Sequence, residues 1–250
     1  MDVVVVGIAA TVSPVNDTGD IYEVHGPATS QVIRAAWGSW GSVDDAVIGN
    51  PSSPAFEEGP QWPAMRQAYT VTRRGKGLLV ASDGLADPMR WRDAPPSNGY
   101  EVEVYAVSAD RFDALGVDAV ASSWLGGLVI GVARVAARNG IGFTEALEKN
   151  GTLVLSLQGL ELPGRFASRF VDEQNTAAAL LGLDGPELPP HVDGPLSRIR
   201  LVNIKLLTVE EARWCQRDAM DARAARDELA ARVNEQGWAL YSSMERPSVV

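Results

Sequence analysis

Between Met65 and Ser108 three strand-like runs follow one another: MRQAYTVTRR, GLLVASD and GYEVEVYAVS. Runs rich in β-branched and aromatic residues, bounded by turn formers, read as strands. The first two are separated by Gly75 and Lys76, with Gly77 opening the second. Glycine accepts the positive φ of a tight turn, so this pair is expected to be a hairpin. The third run sets Tyr100, Val102, Val104 and Ala106 against Glu101, Glu103 and Tyr105. That alternation predicts one buried face and one wet face, as in an antiparallel sheet. The fold class expected is therefore α+β, a mainly antiparallel sheet flanked by helices, with residues 1–250 forming a single domain.

Other elements fit around this sheet. DVVVVGI near the start is an apolar β-branched run of strand length, followed by polar, turn-rich chain from Thr11 to Gly26. A short helix is expected over Thr29–Trp37, capped by Thr29 or Ser30, and a long loop over Asp44–Trp62, which Pro51, Pro54 and Pro60 punctuate. Apolar residues from Val117 to Val135 recur at helical spacing, and Asn139-Gly140 would close that helix. TLVLSLQG and RIRLVNIKLL read as two more strands. Thr208 and Glu211 have the spacing of a capping box, opening a charged surface helix that runs to Asn234 before Gly237. WALYSS is expected to be a closing strand and MERPSVV a loose tail.

A formal net charge of -10 argues against nucleic acid as a partner, because phosphate would be repelled. Cys215 is the single cysteine, which rules out an internal disulfide and a cysteine-based metal site and suits a reducing compartment. The opening lacks the basic residues of a signal peptide, and the apolar stretch Ala119–Ala133 is too short to span a membrane. A soluble cytoplasmic protein without membrane contact is expected.

The chemically suggestive motifs are weak ones. RRGKG lacks the glycine and the Ser/Thr of a phosphate loop, and Gly7 stands alone where a dinucleotide fold shows three glycines. VASDG is one residue from a nucleophile elbow, with Val80 in place of the first glycine. A triad on Ser82 would have to recruit His25 or His191, so Ser82 is read as the end of a strand. Asp83 and Asp87 could share a cation, but no calcium-loop pattern surrounds them. No catalytic residue, metal or cofactor is assigned. Asp83 is expected to accept backbone amides of its own loop, with Gly84 at an unusual φ. Trp37, Trp40, Trp62 and Trp91 fall in or beside loops, where they either anchor a partner or plug the core edge, the latter being favoured.

The segment LLVASDGLADPM, through Asp83, Gly84, Asp87, Pro88 and Met89, resembles the hallmark of the suppressor of fused domain family. GYEVEVYAV is similar to the strand that follows it there, SWLGGLVIGVARVA to the family's central helix, and IRLVNIKLLTVEEA to its late strand and helix. The likeness runs from about Gln61 to Gln236 and leaves residues 1–60 as an extension without an assigned role. GIGFTEA stands where the family has Gly-His-Thr. The resemblance implies a non-enzymatic protein that binds other proteins. The animal member binds a transcription factor by adding a peptide strand to its sheet, and many bacterial members are immunity proteins that neutralise a toxin. The leading expectation is an immunity protein for a basic toxin domain, with a Ser82 hydrolase or a regulatory adaptor as alternatives. Asp44, Asp45, Glu57 and Glu58 would form one acidic partner-binding face together with Asp83, Asp87, Trp91 and Asp93.

Overall fold

The computed structural model describes residues 19–49, 59–112, 116–217 and 222–250. The DVVVVGI run with Gly7, and the acidic residues Glu57 and Glu58, lie outside the described residues.

The described chain begins with α1 (Gly19–Trp40), β1 (Ser42–Val43), β2 (Ile48–Gly49), β3 (Ala68–Arg74), β4 (Gly77–Asp83) and β5 (Val102–Ser108). Three helices follow, α2 (Val117–Ala121), α3 (Trp124–Asn139) and α4 (Ile141–Asn150), then β6 (Leu153–Gln158), α5 (Gly164–Phe170) and β7 (Thr176–Leu183). The last elements are β8 (His191–Asp193), β9 (Arg198–Leu207), α6 (Val209–Gln216), α7 (Ala222–Glu235) and β10 (Tyr241–Ser242). All ten described strands belong to one sheet, ordered β1-β3-β4-β5-β9-β7-β6, with β2, β8 and β10 attached to β3, β9 and β5. The expected hairpin is present, in register from Ala68↔Asp83 to Arg74↔Gly77, and Gly75 turns it at φ +58°.

The sheet is mixed, which corrects the expectation of a mainly antiparallel one. β5 pairs antiparallel with β4 but parallel with both β9 and β10. The chain leaves β5 through α2 to α4 and comes back along β9 in the same direction, a crossover that the local alternation within β5 cannot report. The wet face is also absent. Every residue of β5 is buried, including Glu103, because helices cover both sides of the sheet. On one side α3 places Leu125, Leu128, Val129 and Val132 against Val80, Val102, Val104 and Ile204. On the other, Ile33, Trp37 and Trp40 of α1 cover Leu79, Tyr105 and Leu201, while Cys215, Leu229 and Val233 of α6 and α7 cover Leu180 and Leu207.

Two expected helices are broken. Ser123 accepts a bond from the Gly126 amide at 3.3 Å and donates to the Val120 carbonyl at 2.6 Å, which separates α2 from α3. A Cβ at Gly126 would lie 2.3 Å from the Val120 oxygen, so only glycine lets the two helices meet so closely. The charged C-terminal helix likewise stops at Gln216, with Arg217 as its cap, and the next described residues are helical over Ala222–Glu235. Upstream, α1 is already helical at Gly19, the first described residue and ten residues before the expected cap, and runs through Pro27. Thr29 is mid-helix and fully buried, its hydroxyl bonding back to the His25 carbonyl at 3.0 Å. The expected loop after Asp44 contributes β2, and the expected loose tail is tied down, with Met244, Arg246 and Val249 buried. Among the described residues no helix is long and apolar enough to cross a membrane.

Candidate functional site

The loop after β4 turns through Gly84-Leu85-Ala86-Asp87 against β5. Its anchor is Glu103, a fully buried carboxylate on β5. Oε1 accepts the backbone amides of Gly84 and Ala86, each at 3.0 Å, and Oε2 accepts the Ser82 hydroxyl. Ser82, also fully buried, accepts the Val104 amide at 2.9 Å. Burial, seconded by the nearby charge of Asp83, pushes the Glu103 carboxyl up to about 8, although its three hydrogen bonds pull the other way. The amide-binding role expected of Asp83 therefore belongs to Glu103. Alternation had assigned Glu103 to solvent, and nothing in the sequence marks β5 as covered on both faces.

Asp83 and Asp87 instead share Arg66. Nε and Nη2 of Arg66 reach the two Asp87 oxygens at 3.0 and 2.9 Å, and Nη2 reaches Asp83 Oδ1 at 2.7 Å. Asp87 is only 2% exposed, and burial raises its carboxyl to about 6 against the pull of Arg66. For Arg66 burial works against the charge, but the bonds to Asp87 and Asp83 outweigh it and raise its pKa. Arg66 was not singled out from the sequence, because its partners lie 17 and 21 residues away. Gly84 has the expected unusual backbone, φ +138°, and a Cβ there would lie 2.6 Å from the Arg66 carbonyl oxygen.

Pro88 and Met89 continue the loop in buried positions, Met89 exchanging backbone bonds of 3.1 and 3.2 Å with Ser97. Asn98 closes it from the far side. Its Nδ2 donates to Thr29 Oγ1 at 2.7 Å, while Oδ1 accepts the amides of Leu196 and Ser197 at 3.0 Å each. One side chain thus joins α1, the loop and the β8–β9 turn. A buried Asn able to serve donors and acceptors together suits that junction.

The proposed acidic face is divided. Asp44 follows β1 at the Val43↔Thr72 end of β3, whereas Asp83 pairs with Ala68 at the other end. Asp44 bonds Val71, three residues along β3 from Ala68, and β1 and β4 lie on opposite sides of β3, so ~3.3 Å per residue along the strand and ~4.8 Å per strand across it separate the two groups by roughly 14 Å. Asp44 is bound to Arg73 at 3.0 Å and Asp45, fully exposed, to Arg34 at 3.2 Å. Asp87 is buried, Asp83 is committed to Arg66, and only Asp93 of the second group lies exposed without such a bond. Trp91 is half-buried, donating to Ser97 Oγ at 2.8 Å with its ring 6.3 Å from that of Tyr100. Trp37, Trp40 and Trp62 are buried core residues, as the favoured reading has them.

Ser82 has no approach from solvent, and its hydroxyl is engaged by Glu103 and Val104 rather than by either histidine. Among the described residues no cluster of three or more His, Cys, Asp or Glu could hold a metal. The Ser82→Ala change leaves the Val104 amide and one Glu103 oxygen buried without a partner. It is expected to cost about 1–3 kcal/mol of unfolding free energy in urea titration, more than a merely strand-terminal serine would. A loss within the ~0.5 kcal/mol typical of surface changes would show that the hydroxyl holds nothing.

No family model matches the sequence, and no curated protein matches it. Among solved structures, the chain is similar to the crystal structure of Drosophila Suppressor of Fused, with a TM-score of 0.44 and 13% identity over 83% of this chain. It spans 42% of that chain, less than half its length. A chain of the Sufu-Fu complex crystal structure is similar with a TM-score of 0.48 and 14% identity, covering 95% of this chain and 93% of the other. These similarities concern backbone arrangement alone.

Proposed function

We propose that this chain is a non-catalytic, protein-binding member of the suppressor of fused kind, and that it acts as an immunity protein against a cognate bacterial toxin. The observation that carries the reading is the sealed loop. Ser82, Glu103, Asp83 and Asp87 are the groups of the marked segment that could do chemistry, and all four are spent on holding the loop to Arg66 and to backbone amides. A loop so heavily braced supports a surface presented to another macromolecule.

Exposed acids next to that loop support a docking place there. On α1, Asp20 and Glu23 are exposed beside Val24, which is 70% exposed. Asp20 is bound to Arg90 at 2.7 Å, and Asp93 follows three residues later in the same loop. An exposed apolar side chain on the same helix as Asp20 and Glu23 suits a basic partner: charge steers the encounter and the apolar contact slows release. Reversing Glu23 and Asp93 to Lys is expected to slow association with the cognate toxin domain and flatten its salt dependence. Val24→Asp should mainly speed dissociation. Surface kinetics against the cognate toxin domain provides the measurement. Unchanged rates in both variants would move the contact elsewhere, and hydrolysis of an ester or amide lost in Ser82→Ala would replace the binding reading with a catalytic one.

A further inference from the structure

The two ends of the sheet are finished differently. At the β3 end the outer edge is covered by β1 and β2, two residues each, and flanked by the ion pairs Asp44–Arg73 and Asp45–Arg34. Short strands and charges are the usual means of keeping an edge from pairing with another chain. The β6 end has none of these. β6 is six residues long, pairs only with β7 among the described residues, and lies in a stretch from Thr152 to Leu160 without a charged residue or proline.

Its side chains alternate in a self-complementary way. Leu153, Leu155 and Leu157 point to the α3 side and contact the main core, while Val154 contacts the α6–α7 core and Ser156 and Gln158 are exposed. Among the described residues both sides of this edge are open. A cleft of about 610 Å³ separates it from α3, lined by Gly127, Ile130 and Gly131, and one of about 210 Å³ separates it from α6. Ser156 lines both clefts, so the strand edge is reachable from either side.

We propose that β6 is a homodimer interface, in which two copies of this chain join their sheets edge to edge across a twofold axis. Directly opposed residues in an antiparallel pair share a face. With the axis at Leu155, Leu153 of one copy therefore opposes Leu157 of the partner subunit, and Val154 opposes Ser156 of the partner subunit. Each leucine meets a leucine, and no charge meets its like within the strand, as an isologous interface requires. Each copy carries a net charge of -10, and exposed Arg134 and Arg138 border the α3-side cleft of each. Repulsion between like charges weakens the dimer at low salt, so added salt strengthens it. A toxin complex steered by opposite charges responds to salt in the reverse direction. The inference rests on the sheet edge and not on the proposed toxin.

Sedimentation equilibrium of the full chain, from low-micromolar to sub-millimolar concentration, tests it. The expected result is a mass rising to twice that of the protomer, with a dissociation constant that falls as salt is added. Ser156→Lys and, separately, Gln158→Lys place a charge on an exposed position of the edge. Each is expected to weaken dimerisation by about tenfold or more while the circular dichroism melt of the protomer is kept. Asp45→Lys, at the guarded edge, is expected to leave dimerisation unchanged. Protomer mass at every concentration would overturn the proposal. So would a dimer indifferent to both lysine variants, or one abolished by Asp45→Lys. A monomeric chain that takes a foreign strand peptide onto β6 would also overturn it. Toxin binding retained in Ser156→Lys keeps the two readings separate.

Discussion

Arg246→Ala is expected to lower the unfolding free energy by about 3–5 kcal/mol, because it strands a buried carboxylate. Arg246 lies in the last turn of chain before the C-terminus, and with Glu211 it forms an ion pair in which both side chains have no solvent exposure. Its guanidinium bonds both Glu211 oxygens and the carbonyls of Leu206 at 2.9 Å and Pro247 at 3.1 Å. Glu211 also accepts the Thr208 amide at 2.9 Å, completing the capping box of α6, and the Val249 amide at 3.1 Å. One carboxylate thus ends a strand, starts a helix and fixes the tail. Burial alone would raise its pKa, but Arg246 and the two amides hold it below the ordinary range. Its contribution is therefore present at neutral pH and is lost as pH falls through that lowered value. Removing Arg246 leaves only the burial cost. Arg246→Met combined with Glu211→Gln removes both charges and is expected to recover part of the loss, since a neutral buried pair has less to desolvate. Urea unfolding of the three variants decides the matter: a loss below ~1 kcal/mol for Arg246→Ala would show that water reaches Glu211.

What could be read in advance was local. The β3–β4 hairpin, the Thr208–Glu211 box and the apolar stripe of α3 each depend on residues a few positions apart, and each is present. What was missed depends on distant chain. MERPSVV has no periodicity, and its order comes from Glu211, 35 residues upstream of Arg246. Ala177, Ala178 and Ala179 have little strand preference of their own, yet they lie in the eight-residue strand β7, where contact with β6 and β9 outweighs propensity. Thr11 to Gly26 reads as turn-rich chain, but its described part falls within α1, which continues through Pro27, where the proline is exposed and the carbonyl it leaves free can bond water. Glu103 is the clearest case. Its alternation with valines is the pattern of a half-wet strand, and only the arrival of α1, far back in sequence, makes that face dry.

Glu103→Gln is expected to remove a decline in stability that runs up to about pH 8. The folded-state carboxyl lies at about 8 against an ordinary value of 4.5. Between these values the folded chain holds a proton that the unfolded chain has released, so stability declines as pH rises and levels off above about 8. Asp87 adds a decline of the same sign, finished by about 6. Burial and the neighbouring Arg198 and Arg200 lower the His191 pKa, so protonation of that imidazole costs stability only at more acid pH. Lys205, fully buried and held well below its ordinary pKa by burial and the neighbouring Arg246, adds a slope of the opposite sign, so Glu103 is read from the difference between parent and variant over the interval from about 6.5 to 8. Gln is shaped like the protonated acid. Its carbonyl oxygen can accept the Gly84 and Ala86 amides, and its amide nitrogen can donate to Ser82, so the clasp survives the change. Near pH 5 the variant is expected to match the parent within about 1 kcal/mol. Above pH 8 it should be the more stable of the two by a few kcal/mol, since each pKa step carries about 1.4 kcal/mol. Urea unfolding at intervals from pH 5 to pH 9 measures both limbs. Parallel profiles for parent and variant would mean that Glu103 is already ionised across this range, held by its amides more strongly than its burial opposes.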